Sequence, residues 1–271
     1  MKCKICNKEC AVKYDLLGSR TNALIRSYNC ENCYFYFCEK TEVNYESCNS
    51  EIIDFYKNSK DYICRRHSAI FDFLDLNFSF KNKNFLDIGS GIGYSLVTAI
   101  KKGWTALGLE PGDMLAQFSQ DELNVNVVKG FFDSSTTDEI LSKYKKGADF
   151  ILIDNVLEHI EDPIEFLKNV LSVLSGEGIV LVAVPPVDWL RFLLCKSKYI
   201  RNRVKSSQLN LFYDPEQHLN YFTRISVQKL LDSVPELQLL NNRFHHSRIL
   251  NSSLARFLNF ETGYFFLQKT K

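Results

Sequence analysis

The chain has 271 residues, of which 45% are hydrophobic and 24% are charged, and its formal net charge is +1. That length can bury a full core and fits one large domain with a small appendage. The composition is that of an ordinary soluble globular protein, and the balanced charge gives no sign of a nucleic-acid partner or a membrane surface.

The N-terminus, M-K-C-K-I-C-N-K-E-C, lacks the apolar segment of a secretory signal. The longest apolar stretch, 178–195, contains two prolines, Asp188 and Arg191, so the sequence predicts no transmembrane span. We expect a cytoplasmic location. In that compartment the nine cysteines are expected to be thiols or metal ligands and not disulfides.

Two C-x-x-C pairs open the chain, Cys3 with Cys6 and Cys30 with Cys33, separated by 23 residues. Two such pairs brought together form a tetrahedral site with four thiolates, which predicts a small zinc ribbon over residues 1–48. The zinc would be structural, because four protein ligands leave no open position for water or substrate. Two alternatives stay open: Cys10 could replace Cys6, or the cysteines could be unrelated thiols.

Beyond the ribbon, segments with helical and strand patterns alternate, which predicts an α/β fold over residues 49–271. The fold class is a Rossmann-like, doubly wound, mostly parallel seven-stranded sheet with an antiparallel C-terminal hairpin. The predicted strands are 84–88, 105–110, 125–131, 150–154 and 179–184, with the hairpin formed by 237–244 and 264–268. The predicted helices are 62–76, 94–102, 112–120, 138–145, 163–174 and 225–233.

A glycine-rich turn follows the first of these strands in F-L-D-I-G-S-G-I-G, residues 85–93. Glycines let the chain turn sharply into a helix while a ligand approaches the backbone. Glu110 ends the next strand, where its carboxylate can accept hydrogen bonds from both ribose hydroxyls. The acid at Asp87 would repel a pyrophosphate but attract an ammonium group, which favours S-adenosylmethionine (SAM) over a dinucleotide. The candidate cofactor residues here are Asp87, Gly89, Ser90, Gly91, Gly93 and Glu110.

Two further pairs stand at the ends of predicted strands. Phe131 and Phe132 could flank the adenine ring, or they could belong to the core. Asp154 and Asn155 could bind the amino-acid part of the cofactor, or they could cap the following helix.

Two histidines are candidates for the acceptor side of the cleft. His218 lies in a polar cluster with Tyr221, and His159 lies one helical turn after Asn155. Either histidine could take a proton from the acceptor, and an unperturbed histidine pKa near 6.5 predicts a loss of activity below about pH 6. We therefore predict His218, His159 and Tyr221 as catalytic residues. The alternative for His159 is a histidine that fills a helix face.

At this point the chain, from about residue 60 onward, resembles the class I SAM-dependent methyltransferases. The segment A-D-F-I-L-I-D-N-V-L-E-H-I-E-D-P, residues 148–163, looks like the fourth-strand motif of their small-molecule branch. With its ribbon the chain is also similar to bacterial sugar C-methyltransferases, through R-S-Y-N-C-E-N-C-Y-F-Y-F and Y-D-P-E-Q-H-L-N-Y-F, although Gln217 stands where those enzymes have Glu. The resemblance implies SAM as cofactor, a structural Zn²⁺ and a small-molecule acceptor such as a nucleotide-linked sugar.

An insert at about 186–222 separates the fifth strand from the last helix. Within it, residues 191–205 carry six Lys or Arg and no acid. This segment could cover an anionic substrate, form a solvated surface, or together with Trp189 lie on an anionic membrane. Two other function classes remain as alternatives: a zinc-ribbon RNA or DNA methyltransferase, for which the ribbon is not notably basic, and a non-catalytic protein that keeps the cofactor fold.

Overall fold

The computed structural model describes residues 1–17, 23–40, 50–185, 215–240 and 263–270. The helices are α1 (Ser50–Asn58), α2 (Lys60–Asn77), α3 (Tyr94–Lys101), α4 (Asp113–Leu123), α5 (Ser134–Lys143), α6 (Pro163–Val173) and α7 (Arg224–Asp232). The strands are β1 (Val12–Leu17), β2 (Leu24–Cys30), β3 (Phe35–Cys38), β4 (Asn84–Ile88), β5 (Thr105–Glu110), β6 (Val127–Lys129), β7 (Ala148–Asp154), β8 (Leu174–Val184), β9 (Asn220–Tyr221), β10 (Leu237–Leu239) and β11 (Gly263–Lys269).

The larger sheet has seven strands in the order β10-β11-β8-β7-β4-β5-β6. Strands β4 to β8 pair in parallel, while β11 runs antiparallel to both β8 and β10. The central strand β4 pairs with β5 on one side and β7 on the other, so its residues are buried on both faces. The predicted fold, including the antiparallel C-terminal pair, is confirmed.

Aromatic side chains fill one face of this sheet. Phe85 of β4 and Phe150 of β7 stack with ring centroids 5.2 Å apart, and Phe71 of α2 meets both rings edge-on. All three side chains are fully buried. Since aromatic groups bury large apolar areas, this packing fixes α2 against the sheet and anchors the strand that leads into the glycine turn.

Several element bounds differ from those predicted, and three of them bear on how the chain enters or leaves the sheet. Strand β6 covers only Val127–Lys129 of the predicted 125–131. Helix α5 begins at Ser134 and not at 138, because the Asp133 carboxylate accepts the backbone N–H of Ser135 and Thr136 in a capping box. Strand β8 begins at Leu174, directly after α6, where the sequence predicted a turn before residue 179.

The N-terminal cysteine region belongs to a second sheet of four strands, in the order β1-β2-β3-β9. Its fourth strand comes from far along the chain, with Phe37 opposite Asn220 and Tyr36 opposite Tyr221. The N-terminal sheet is therefore completed by residues from the end of the predicted 186–222 insert. The predicted boundary near residue 48 and residues 186–214, which include the basic segment, lie outside the described residues.

No helix in the described ranges is both long enough and apolar enough to cross a membrane.

Candidate active site

Strands β4, β5 and β7 end at one cavity of about 1220 Å³. Its walls come from the glycine turn after β4, the ends of β5 and β7, helices α1 and α2, and the segment before β9. All but one of the predicted cofactor and catalytic positions line it, the exception being Tyr221: Asp87, Gly89, Ser90, Gly91, Gly93, Glu110, Phe131, Phe132, Asp154, Asn155, His159 and His218. The site thus lies beyond the carboxyl ends of parallel strands, where ligands bind such sheets.

The glycine turn needs its first glycine for two reasons. Gly89 has a φ of +79°, and a Cβ at this position would lie 2.4 Å from Cγ2 of Val156. The N–H groups of Gly89 and Ser90 both donate to the Leu109 carbonyl oxygen, at 2.8 and 3.0 Å. These bonds tie the turn to the end of β5 and keep its backbone open toward the cavity.

Glu110 holds the same turn from the other side. Its Oε2 accepts a hydrogen bond of 2.8 Å from the Gly91 N–H, and its Oε1 accepts one of 2.8 Å from the Gly112 N–H. Burial raises the pKa of this carboxyl, while the two backbone donors oppose that shift. Each oxygen keeps a second lone pair, so the carboxylate can also accept hydrogen bonds from ribose hydroxyls.

Asp87 lies under the turn and is buried. It accepts a hydrogen bond from the Ser95 hydroxyl on Oδ2, whereas Oδ1 accepts none from the described residues. Burial raises the pKa of Asp87 to about 7; Ser95 lowers it, nearby Glu110 raises it further and Arg66 lowers it. An added positive charge would favour the ionised form of this group.

Asp154, at the end of β7, forms an ion pair with Arg66 of α2, and the Nε2 atom of His67 lies 3.6 Å from the same carboxylate oxygen. The next residue, Asn155, has a left-handed backbone with φ of 54° and donates from Nδ2 to Asp154 at 3.3 Å. Neither residue caps a helix, because α6 is capped by Asp162. Asp154 and Asn155 therefore face the cavity beside the partly buried guanidinium of Arg66.

Phe131 and Phe132 have different surroundings. Phe131 is 58% exposed, whereas Phe132 is half-buried and meets Phe166 edge-on at 5.6 Å. Both line the cavity where an adenine ring would follow the ribose site of Glu110. Helix α1 covers the opposite wall, with the Tyr56 ring facing Gly91.

A compact group of three side chains lines the cavity farther along. Ligand atoms of Glu158, His159 and His218 lie within 4.8 Å of one another, and the two imidazole centroids are 4.8 Å apart. Burial and the neighbouring His159 lower the pKa of His218 to about 3. The predicted protonation of His218 near pH 6 is therefore wrong, because its imidazole stays neutral to a much lower pH.

Hydrogen bonds fix the two segments that carry this group. The Leu219 N–H donates to the Glu158 carbonyl oxygen at 2.8 Å. Asn220 donates from Nδ2 to the carbonyl oxygens of Leu157 and Ile160, at 3.1 and 2.6 Å. Since Asn220 is buried and bridges both segments, the relative position of the two histidines is set by the fold.

Tyr221 lies elsewhere. Its side chain is buried in the core of the four-stranded sheet with Ile25 and Cys38, and its ring centroid is 6.2 Å from that of His218. This position comes from its place in β9, where it pairs with β3. The structure thus gives Tyr221 a packing contact behind His218 and no wall of the cavity.

The four predicted zinc ligands come together beside the turn between β2 and β3, which carries Cys30 and Cys33. The Sγ atoms of Cys3, Cys6, Cys30 and Cys33 all lie within 4.8 Å of one another. A tetrahedral zinc ion with Zn–S bonds of 2.3 Å needs sulfurs about 3.8 Å apart, so this set fits one. Cys10 lies outside the set, and its thiol contacts the Lys8 carbonyl oxygen at 3.5 Å.

Sequence reasoning missed Arg66, His67 and Glu158. Arg66 and His67 lie on α2, where the apolar periodicity of the sequence indicates only which face is buried. Their contacts with Asp154 depend on tertiary structure that this periodicity does not predict. Glu158 could have been identified from the sequence, because it directly precedes the candidate His159 in D-N-V-L-E-H.

The fold and this cleft define a class I SAM-dependent methyltransferase, and the comparisons agree. A family model described as a methyltransferase domain matches residues 62–234. The match covers more than half of the chain, which therefore belongs to this methyltransferase family. The narrower likeness to sugar C-methyltransferases stays a prediction.

One curated relative is the tRNA U34 carboxymethyltransferase of Dichelobacter nodosus, 28% identical over 131 residues. The matched region is 47% of this chain and 41% of that protein, so the chain spans only about two fifths of the relative's length.

Solved structures show the same fold. The plantazolicin methyltransferase BpumL in complex with SAH has a TM-score of 0.58 at 21% identity, covering 84% of this chain and 93% of that one. A SAM-dependent methyltransferase from Archaeoglobus fulgidus has a TM-score of 0.52 at 17% identity, with coverage of 82% and 100%. The magnesium protoporphyrin IX methyltransferase of Synechocystis PCC 6803 with bound SAH has a TM-score of 0.52 at 10% identity, with coverage of 86% and 90%.

Proposed function

We propose that this methyltransferase transfers the methyl group of SAM to a small-molecule acceptor, with a nucleotide-linked sugar or surface-polysaccharide precursor as the leading class. The observation that carries the proposal is a single cavity lined at one end by the glycine turn and Glu110, and at the other by His159 and His218. Its volume of about 1220 Å³ exceeds the roughly 300–1,000 Å³ of a site for one small ligand. A cofactor and a small acceptor can therefore share it.

The cofactor end offers a partner for each part of SAM. The Glu110 carboxylate would accept hydrogen bonds from the ribose hydroxyls, and Phe131 and Phe132 would flank the adenine ring. The buried carboxylate of Asp87 and the partly buried one of Asp154 would attract the methionine ammonium, with Asn155 as a further polar contact. We add Arg66 as the partner of the methionine carboxylate, since its guanidinium lies in the same wall beside Asp154.

At the acceptor end, His218 and His159 would contact the acceptor. In the transfer a bond forms between the acceptor atom and the methyl carbon, the bond from sulfur to that carbon breaks, and the acceptor loses a proton. The cleft would favour this step mainly by holding the two molecules in line. A neutral imidazole carries a lone pair that suits it to a proton or to a cation beside the acceptor. Tyr221 would support His218 through packing.

Three further parts of the proposal concern the rest of the chain. A structural Zn²⁺ would hold Cys3, Cys6, Cys30 and Cys33 together. The basic segment 191–205 would cover an anionic acceptor or contact a membrane surface. A cytoplasmic location fits the free thiols of the described cysteines.

The test is transfer of a tritiated methyl group from SAM by the purified chain. A panel of nucleotide sugars should contain an acceptor, whereas bulk tRNA should not be labelled. Labelling of tRNA alone would replace the proposal with the RNA alternative, which the likeness to a tRNA U34 carboxymethyltransferase makes the natural second candidate.

Two variants test whether His218 acts on the acceptor and not on the cofactor. His218→Ala should slow turnover by about 10² to 10⁴-fold while SAH affinity stays unchanged, because the side chain serves the acceptor and not the cofactor. Glu139→Gln is the matched control, since this residue of α5 is exposed and pairs only with Lys143 among described side chains. Full turnover in His218→Ala would contradict the assignment.

A further inference from the structure

We propose that Glu158, His159 and His218 form a binding site for one divalent cation beside the acceptor. Its role toward the acceptor rests on the proposed function, but the site itself does not. The three side chains come from two segments, the 3-10 turn Leu157–His159 after β7 and the stretch before β9.

The donor set suits a cation of intermediate softness. Each residue offers one ligand atom, and the three atoms lie within 4.8 Å of one another. Two imidazole nitrogens and one carboxylate on one side of an ion form a pattern that binds divalent transition metals and leaves other positions open. All three residues line the cavity, so those open positions would face it.

A second observation is the state of Glu158. The residue is 2% exposed, and neither carboxylate oxygen receives a hydrogen bond from any other described residue. A buried carboxylate without a partner is strongly unfavourable unless it is neutralised or paired. A cation between Glu158 and the two imidazoles would supply that partner.

A third observation is the orientation of His159. Its Nδ1 lies 2.7 Å from the carbonyl oxygen of Gln217. A carbonyl oxygen only accepts, so Nδ1 carries the proton and the lone pair of the neutral ring lies on Nε2. Metal-ligating histidines are oriented by this kind of hydrogen bond from the other ring nitrogen.

The cation would narrow the acceptor class. With three protein ligands, its remaining positions suit oxygen atoms, and two neighbouring hydroxyls of a sugar can fill them together. This class agrees with a nucleotide-linked sugar. It would also place the acceptor oxygen next to the sulfonium methyl group and lower the pKa of a bound hydroxyl, whose proton would pass to water as the oxygen–methyl bond forms and the sulfur–methyl bond breaks.

Mn²⁺ is the probe of choice, because its preference for oxygen and nitrogen ligands keeps it apart from the four-thiolate cluster. Titration of the zinc-loaded full chain, followed by the electron paramagnetic resonance signal of free Mn²⁺, should give one bound ion per chain. Pulsed measurements on the bound ion should show coupling to imidazole nitrogen. Glu158→Gln and His218→Ala should each weaken binding by about tenfold or more.

Glu161→Gln is the matched control, since this exposed acid lines the same cavity and pairs with Lys40. It should leave Mn²⁺ affinity within about twofold. Calorimetry with SAH checks that every variant is folded. If the wild-type chain binds SAH but binds no Mn²⁺, or binds it without nitrogen coupling, the cation site is overturned while the cofactor assignment stands. If SAH does not bind, the proposed function itself fails.

Discussion

The Nζ atom of Lys4 donates a hydrogen bond of 2.9 Å to Oδ1 of Asn220. Lys4 lies between the two cysteines of the first C-x-x-C pair. Asn220 uses its Nδ2 to hold the carbonyl oxygens on either side of Glu158 and His159. The cysteine cluster and the acceptor end of the cleft are therefore joined through two side chains.

Replacing Asn220 with Ala should impair the acceptor end of the cleft and leave the cofactor end intact. The change removes a donor from the carbonyl oxygens of Leu157 and Ile160, of which Leu157 keeps the 3.3 Å bond from the Ile160 N–H, and it should cost about 1–3 kcal/mol of unfolding free energy. Turnover should fall by about 10-fold to 100-fold, because the histidines lose their fixed position. SAH affinity should stay the same, since the glycine turn and Glu110 are untouched. Steady-state kinetics and calorimetry on one preparation check both results.

Lys4→Met provides the comparison for Asn220→Ala, since it removes the link to the cysteine turn but keeps both Asn220 bonds to the carbonyl groups. Its loss of turnover should be smaller. An equal loss in both variants would show that the link to the cysteine turn, and not the bonds beside His159, positions the site.

Asp87 should make cofactor binding depend on pH. Its pKa of about 7, raised mainly by burial, means that the carboxyl is half-protonated at pH 7 in the free protein. Cofactor ammonium favours the ionised form, so SAH affinity should rise as the pH increases from 6 to 8. Binding at pH 7 should release about half a proton. Calorimetry in two buffers of different ionisation enthalpy measures that release.

The groups that face Asp87 are Ser95, Glu110 and Arg66. Asp87→Asn should abolish the proton release and make SAH affinity independent of pH between 6 and 8. Glu110→Gln should preserve part of the proton release. If Asp87→Asn releases as many protons as the parent, the titrating group lies elsewhere.

Glu110→Ala should weaken SAM binding by about 1.5–3 kcal/mol, the usual scale for hydrogen bonds to a charged group. The same change frees the N–H groups of Gly91 and Gly112, which the carboxylate now holds. Glu110→Gln should lose less, because the amide oxygen can still accept one of these bonds. Unchanged affinity in Glu110→Ala would remove Glu110 from the cofactor site, and tight NAD binding by the parent would contradict the assignment of SAM as cofactor.

Metal analysis should find about one zinc per chain as purified, with sulfur ligands at roughly 2.3 Å. Cys30→Ser should release the metal and unfold the N-terminal sheet. Because β3 pairs with β9, turnover should fall as well, while SAH affinity persists. Cys64→Ser is the control, as Cys64 lies on α2 outside the cluster. A metal-free protein with full activity would contradict the ribbon assignment.

The sequence predicted the seven-stranded fold and most of the cavity wall because both depend on local patterns. The alternation of apolar strands with helices determines the sheet, and D-I-G-S-G-I-G followed by Glu110 marks two adjacent strand ends. The start of α5 was missed because a single side chain, Asp133, decides it by capping.

These local patterns do not predict contacts between residues that are far apart in the chain. No local signal in 220–221 indicates a two-residue strand that pairs with β3, so the sequence could not predict that the Tyr221 side chain packs in the core of the N-terminal sheet. The pKa of His218 was misjudged for the same reason, since its burial depends on segments far apart in the chain. Arg66 became a candidate only when the fold placed α2 beside Asp154.

A crystal structure of the SAH complex is the most direct test of the proposed cleft. We expect the ribose hydroxyls within hydrogen-bond distance of the Glu110 carboxylate, the homocysteine ammonium beside Asp87 or Asp154, and the sulfur pointing toward His159 and His218. SAH bound with its sulfur turned away from the two histidines, or bound outside this cavity, would contradict it.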